Sequence, residues 1–235
     1  MKISLALPFH NEEGNLVILL PLIVKNLTKN PNFDFEVNLV DDLSDDESYE
    51  VCKRFIESNK SLIEFNLFKL EKKGFQYGAL KKGFEESTGD YIICMDSDLQ
   101  DDPRHLSKFI QNINNNFEII VGIRINRKAP SILKSGLKVY DLIFEKIFKK
   151  KLVTYRAQFA AYKSKYVKNL PWFKNDHRYL IPIAIHRGAN LITGVNFEHK
   201  PREIGKSHYN RYLKVFSGII ELGIFLYRMK TGKYK

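Results

Sequence analysis

Along the first 125 residues short apolar runs alternate with amphipathic stretches. Ile3–Leu7 reads as a buried strand, and Glu12–Leu27 places apolar residues at three- and four-residue steps, the signature of a helix with one buried face. Phe35–Val40 is a second strand. Asp46–Ser58 follows as a helix entered through the capping-type residues Ser44 and Asp45. Ile63–Leu70 alternates in the manner of a strand, and Phe75–Ser87 returns to helical spacing. Tyr91–Met95 is a continuous apolar strand that stops at Asp96. Pro103 fits the first turn of the next helix, and Phe117–Ile123 completes the series as a strand.

Beyond Pro130 the rhythm changes. Ile132–Lys150 predicts an amphipathic, lysine-studded helix, Phe159–Tyr162 and Ile192–Phe197 predict strands, and Arg178–Arg187 a helix between them. Tyr209–Lys230 predicts a closing helix. Strands alternating with helices imply an α/β fold with a mostly parallel, doubly wound sheet flanked by helices. With no internal repeat or linker, the expectation is one continuous domain over 1–235. Residues 1–125 form its first half, and 126–235 its second half with a C-terminal amphipathic helical annex. Ligands of such sheets bind beyond the carboxyl ends of the strands. Two acidic clusters, Asp41–Asp42 and Asp96–Asp98, fall at predicted strand ends.

Composition narrows the class. At 44% hydrophobic and 28% charged, the 235-residue chain reads as globular, neither disordered nor membrane-embedded. The N-terminus lacks the apolar length and cleavage site of a secretory signal. Val215–Tyr227 contains Glu221 and falls short of the roughly 20 residues of a spanning helix. The two cysteines, Cys52 and Cys94, cannot build a disulfide framework, and they suggest buried thiols in a reducing, cytoplasmic setting. The net charge of +11 fits nucleic acid, an anionic membrane surface or phosphorylated substrates. The lysines thicken after residue 128, whereas the acids crowd the turns after the strands. Clustered carboxylates would repel nucleic-acid phosphates, and no nucleic-acid motif is present. The expectation is therefore no nucleic-acid partner, and an enzyme with a cation site and an anionic ligand.

Asp96-Ser97-Asp98 at the end of a strand aims two carboxylates into one mouth. Such oxygen ligands suit Mg²⁺ or Mn²⁺ bound together with substrate phosphates. This turn stands in a longer order. Ala6-Leu7-Pro8-Phe9-His10-Asn11-Glu12-Glu13 comes first, then Val40-Asp41-Asp42-Leu43-Ser44-Asp45-Asp46. Gly74-Phe75-Gln76-Tyr77-Gly78-Ala79 follows, then Asp96-Ser97-Asp98-Leu99-Gln100-Asp101-Asp102-Pro103. In that order the motifs resemble those of family 2 glycosyltransferases with the GT-A (Rossmann-like) fold. The Asp-Leu-Gln-Asp-x-Pro continuation is similar to the polyprenol-phosphate branch, which includes dolichol-phosphate mannose synthases. Gly122-Ile123-Arg124-Ile125-Asn126-Arg127 and Arg202-Glu203-Ile204-Gly205-Lys206-Ser207-His208-Tyr209 resemble the same family's later segments.

The resemblance implies a nucleotide-sugar donor. Pro8, Asn11 and Glu12 would shape the nucleotide pocket, and Asp41 and Asp42 would hold base and ribose. Asp96 and Asp98, with Gln100 as a further ligand, would hold the metal and diphosphate. Arg127, Lys134 and Arg202 would meet donor or acceptor phosphates. His10 stands where the family usually has tyrosine, and Thr154 and Ala160 depart from its acceptor-side pattern.

The implied reaction is an inverting displacement. A hydroxyl acceptor requires a general base, and the nearest acid is Asp176 in Asn175-Asp176-His177. A phosphate monoester requires none, being largely dianionic at neutral pH. The expectation is a polyprenyl phosphate acceptor, with a saccharide acceptor using Asp176 as the alternative. Val215, Phe216, Ile219, Ile220, Ile224 and Phe225, followed by Arg228, Lys230, Lys233 and Lys235, could form a basic amphipathic helix. Such a helix suits peripheral contact with the inner face of a membrane as well as it suits packing on the sheet. The donor base, the sugar and any homo-oligomer stay open.

Overall fold

The computed structural model describes residues 1–125, 131–198 and 213–235, the side chains of 131–137 and 213–217 excepted. The elements run β1 (Lys2–Phe9), α1 (Glu13–Leu27), β2 (Asp34–Asp41), α2 (Ser48–Ser58), β3 (Glu64–Lys69), α3 (Phe75–Glu86), β4 (Tyr91–Cys94), α4 (Leu106–Asn114) and β5 (Ile119–Ile125). They continue with α5 (Ser131–Phe148), β6 (Ala160–Lys163), α6 (Leu180–His186), β7 (Ile192–Glu198) and α7 (Leu213–Lys230). The seven strands lie in the order β3-β2-β1-β4-β6-β5-β7. All neighbours are parallel except β6, which runs antiparallel to both β4 and β5. The mostly parallel α/β expectation holds.

Alternation along the strands divides the core between two faces, because successive side chains point to opposite sides of a sheet. Ile3, Leu5, Leu7 and Phe9 of β1 join α1 and α4 in one cluster. Ala6 faces the other way, with Ile92, Tyr162, and the aromatic residues Phe144 and Phe225 of α5 and α7. Ala6 is small for a reason: α3 crosses it closely, and a Cβ on Gly83 would sit 3.1 Å from the Ala6 Cβ.

The sheet also carries a polar knot opposite the site end. Glu36, 1% exposed, accepts from Ser4 Oγ at 2.5 Å, Thr88 N at 2.6 Å and Thr88 Oγ1 at 2.7 Å, and pairs with Lys2 Nζ at 2.7 Å. Gly89 is required beside it, since a Cβ there would lie 2.7 Å from Ser4 Oγ.

The topology positions the site. From β1 the chain steps outward to β2 and β3, then returns to add β4 on the other side of β1. This reversal opens a crevice beyond the carboxyl ends of β1 and β4, the usual ligand position in open α/β sheets. In register, Phe9 lies beside Asp41 and Ala6 beside Cys94, so the loops after β1, β2 and β4 meet there.

Candidate active site

The loops after β1 and β2 are sewn together by side chains. Asn11 N donates to Ser44 Oγ at 3.0 Å, and Asp45 N donates back to Asn11 Oδ1 at 2.8 Å. Glu12 N donates to Ser48 Oγ at 2.8 Å, and the Glu12 carboxylate accepts from Asn15 Nδ2. Pro8 lies within β1, paired with Val40. The segment from Pro8 to Glu12 thus leads from the end of β1 and is tied to the loop after β2.

Asp41 and Asp42 end β2, both buried. Asp41 Oδ1 accepts from Ser44 N at 2.8 Å and from Ser44 Oγ at 2.6 Å. Its Oδ2 is buried without a hydrogen-bond partner among the described residues, with Lys69 Nζ 3.8 Å away. A buried carboxylate oxygen left without a donor is costly, and an N–H or hydroxyl of a ligand would satisfy it. Asp42 Oδ1 accepts from Gly74 N at 2.5 Å. Burial raises the Asp42 carboxyl above its usual range, against the pull of the Gly74 amide and of the nearby Lys73 ammonium. His10 and Lys73 touch directly: Lys73 Nζ donates to His10 Nε2 at 2.8 Å.

On the other side of β1 the Asp96–Asp102 turn follows β4. Gln76 Nε2, one residue into α3, donates to Asp96 Oδ1 at 2.8 Å. Asp98 Oδ1 accepts from Gln100 N at 3.2 Å, and Asp98 and Gln100 are both half-buried. Asp101 is fully buried and gripped by Arg124 Nη2 at 3.1 and 3.2 Å, while Asp102 accepts from Arg104 N at 2.9 Å at the next turn. Burial, then the charges of Asp101 and Asp98, push the Asp96 carboxyl up to about 7. That repulsion is the electrostatic state a divalent cation relieves. Among the described residues no group of three or more His, Cys, Asp or Glu gathers as a metal site. The protein offers Asp96 and Asp98, a set that fits an ion such as Mg²⁺, which commonly takes one or two carboxylates and completes its shell with substrate phosphate and water.

The Gly74–Gln76 turn bridges the two halves, its amide on Asp42 and its amide side chain on Asp96. Sequence reasoning missed Gln76 and Arg124. Each acts on an acid more than 19 residues away, and only the packing of α3 and β5 reveals the pairing. Gly122 carried a signal: a Cβ there would meet Phe159 O at 2.4 Å, so the strand that delivers Arg124 needs glycine.

Asp176 requires a correction. It was expected as the base only in the alternative reading with a saccharide acceptor. It is instead 2% exposed, with Oδ2 accepting from Phe173 N at 2.8 Å and Oδ1 from Tyr234 Oη at 2.9 Å. In this arrangement it anchors the C-terminus. The expected phosphate ligands Arg127 and Arg202 lie outside the described residues, as does the Lys134 side chain.

A family model described as "Glycosyl transferase family 2" matches residues 4–170. Among curated proteins, the chain is 27% identical over 224 residues to undecaprenyl-phosphate 4-deoxy-4-formamido-L-arabinose transferase of Photorhabdus laumondii, covering 94% of this chain and 66% of that protein. It is 26% identical over 212 residues to the protein of the same name from Salmonella choleraesuis, covering 89% and 63%. The chain therefore spans just under two thirds of the length of these relatives. Among solved structures, glucosyl-3-phosphoglycerate synthase from Mycobacterium tuberculosis, in complex with Mn²⁺, uridine diphosphate and phosphoglyceric acid, superposes with a TM-score of 0.67 at 15% identity, covering 99% of this chain and 78% of that one. TarS 1–349 of S. aureus superposes at 0.59 with 19% identity, covering 83% and 58%. These likenesses confirm the GT-A type of fold.

Proposed function

Because the chain belongs to glycosyl transferase family 2, we propose that it moves a sugar from a nucleoside-diphosphate donor to a polyprenyl phosphate, with inversion at the anomeric carbon. The observation that carries the proposal is the joined acidic mouth. Asp41–Asp42 and Asp96–Asp98 stand at the ends of β2 and β4, on either side of β1, bridged by Gly74 and Gln76. One end suits a base and ribose, because carboxylates accept from N–H and hydroxyl groups. The other suits a diphosphate.

Asp41 and Asp42 hold the nucleoside against the segment from Pro8 through Asn11 to Glu12. Asp96 and Asp98, with Gln100 near, would hold Mg²⁺ or Mn²⁺, which when bound neutralises charge on the departing diphosphate. A protein of the same fold, solved with Mn²⁺ and uridine diphosphate, supports this assignment. Arg127, Lys134 and Arg202 are assigned to the donor and acceptor phosphates, as forks and a point charge respectively. An acceptor phosphate oxygen attacks the anomeric carbon, the bond to the donor diphosphate breaks, and the nucleoside diphosphate leaves with its electron pair.

The acceptor choice follows from the proton. A phosphate monoester has a second pKa of about 6 and attacks without losing a proton in the step, so the burial of Asp176 is no obstacle. The relatives named for undecaprenyl-phosphate transfer support the same class of acceptor. Contact with the inner face of a membrane would bring the lipid to the site. Along α7, Ile219, Ile220, Ile224 and Tyr227 are exposed, and Lys230 and Lys233 are exposed beside them. Among the described residues no helix is long and apolar enough to cross a membrane, so contact of these residues would be interfacial.

The test incubates purified protein with undecaprenyl phosphate, Mg²⁺ or Mn²⁺, and labelled UDP- and GDP-sugars. Label is expected in the organic phase. Asp98→Asn should lower it by about a hundredfold, the scale seen when a group stabilising developing charge is removed. Metal-dependent donor hydrolysis without lipid labelling would contradict the acceptor assignment.

A further inference from the structure

Each loop at the mouth holds one non-glycine residue in the left-handed backbone region: Asn11 at φ 55°, Leu43 at 56°, Phe75 at 53° and Leu99 at 58°. Asparagine visits this region readily. Leu99 packs against the main core, and Leu43 is half-buried. Phe75 is different. A Cβ-bearing aromatic is disfavoured there, and the residue is 61% exposed, so burial offers little compensation. Strain that packing does not repay is typical of ligand-binding positions.

The neighbours of Phe75 locate it. Gly74 N donates to Asp42 Oδ1, and the Phe75 backbone lies close enough to add to the pull on the same carboxylate. Asp96 is reached only through the long Gln76 side chain. The Phe75 backbone is therefore fixed at the Asp42 end of the mouth, beside the His10–Lys73 contact. An exposed ring at that end has a flat π face to offer, and a nucleobase offers the matching surface.

We propose that Phe75 is a donor-binding residue whose ring stacks on the nucleobase of the nucleoside diphosphate. This inference rests on the donor assignment above. Stacking of this kind tolerates any base, because every base has a π face. Phe75 would then add affinity, while the orphaned oxygen of Asp41 would read the base edge.

The experiment titrates UDP, GDP and inorganic pyrophosphate, each with Mn²⁺, into the full chain and into Phe75→Gly, Phe75→Ala and Phe75→Trp, and records melting temperature in parallel. Losing the ring should weaken UDP and GDP binding about tenfold, the usual scale of one base–aromatic stack, while pyrophosphate, which has no base, binds all four proteins alike. Phe75→Trp should bind both nucleotides at least as well as the parent. Phe75→Gly should melt higher than the parent, because glycine accepts a positive φ, and still bind nucleotide less well. A glycine variant that binds UDP and GDP as tightly as the parent would overturn the inference and leave the donor assignment standing. So would an equal loss for pyrophosphate, which would remove the ring from the base. A parent chain that binds neither nucleotide would overturn the donor assignment itself.

Discussion

Asp96 and Asp176 are both carboxylates whose acidity burial weakens, and their neighbours give them different work. Beside Asp96 stand two further acids, Asp101 and Asp98, whose charges oppose its ionisation. Around Asp176 stand donors: the Phe173 amide, the Tyr234 hydroxyl, and Arg228 at 3.9 Å. Tyr234 is 1% exposed and packs against Phe225 and Phe173. Asp176→Asn and Tyr234→Phe should each lower stability by about 2 kcal/mol, the scale of a buried hydrogen bond to a charged group. For a chain of this size that is a melting shift on the order of 5 °C. Both variants should keep the parent's turnover below their melting range. A collapse of turnover in Asp176→Asn with unchanged melting would restore the role of base. The sequence could not distinguish these roles, because the burial of Asp176 depends on a tyrosine 58 positions later.

At the scale of elements, hydrophobic spacing located the strands and helices to within a few residues, since a buried face imposes its period on the sequence. The helix expected over Asp46–Ser58 begins at Ser48, and Glu47 rather than Ser44 or Asp45 precedes it. The antiparallel course of β6 was not legible: Ala160, Ala161 and Tyr162 are buried on both faces, and such a strand reads the same in either direction. Between elements, the Glu36 knot ties β1, β2 and the α3–β4 loop. Burial pushes its carboxyl up, but hydrogen bonds from Lys2, Ser4 and Thr88 outweigh this and bring it from 4.5 down to about 2. A carboxyl lowered in the folded state stabilises above its unfolded value and loses that contribution as pH falls from about 4.5 toward 2. The contribution is about 3 kcal/mol. Thermal melts from pH 7 to pH 3 should therefore converge for the parent and Glu36→Gln, with the parent clearly higher at pH 7. A constant gap across that range would show that the knot is not linked to this proton.

Helix α7 supplies a second prediction at this scale. One face buries Phe225 and Met229, and the other exposes Ile219, Ile220, Ile224 and Tyr227. If the exposed face meets lipid, Ile220→Asp with Ile224→Asp should abolish sedimentation with anionic vesicles and leave UDP binding intact. Retained sedimentation would transfer the membrane contact to other surfaces.

Across the whole molecule, the acidic mouth was legible because its carboxylates end apolar runs, and parallel strands deliver their ends to one edge. What joins them was not. Gln76 reaches Asp96, Arg124 grips Asp101, and Gly74 caps Asp42 only after α3 and β5 have packed. The same packed molecule carries the central claim, that sugar passes to a phosphate rather than to a hydroxyl. The most direct measurement offers the protein, with Mn²⁺ and its labelled donor, either undecaprenyl phosphate or undecaprenol, which has the same chain without the phosphate. Labelled glycolipid is expected from the phosphate and none from the alcohol. Equal transfer to the alcohol, or transfer to neither while a saccharide is glycosylated, would contradict the central claim.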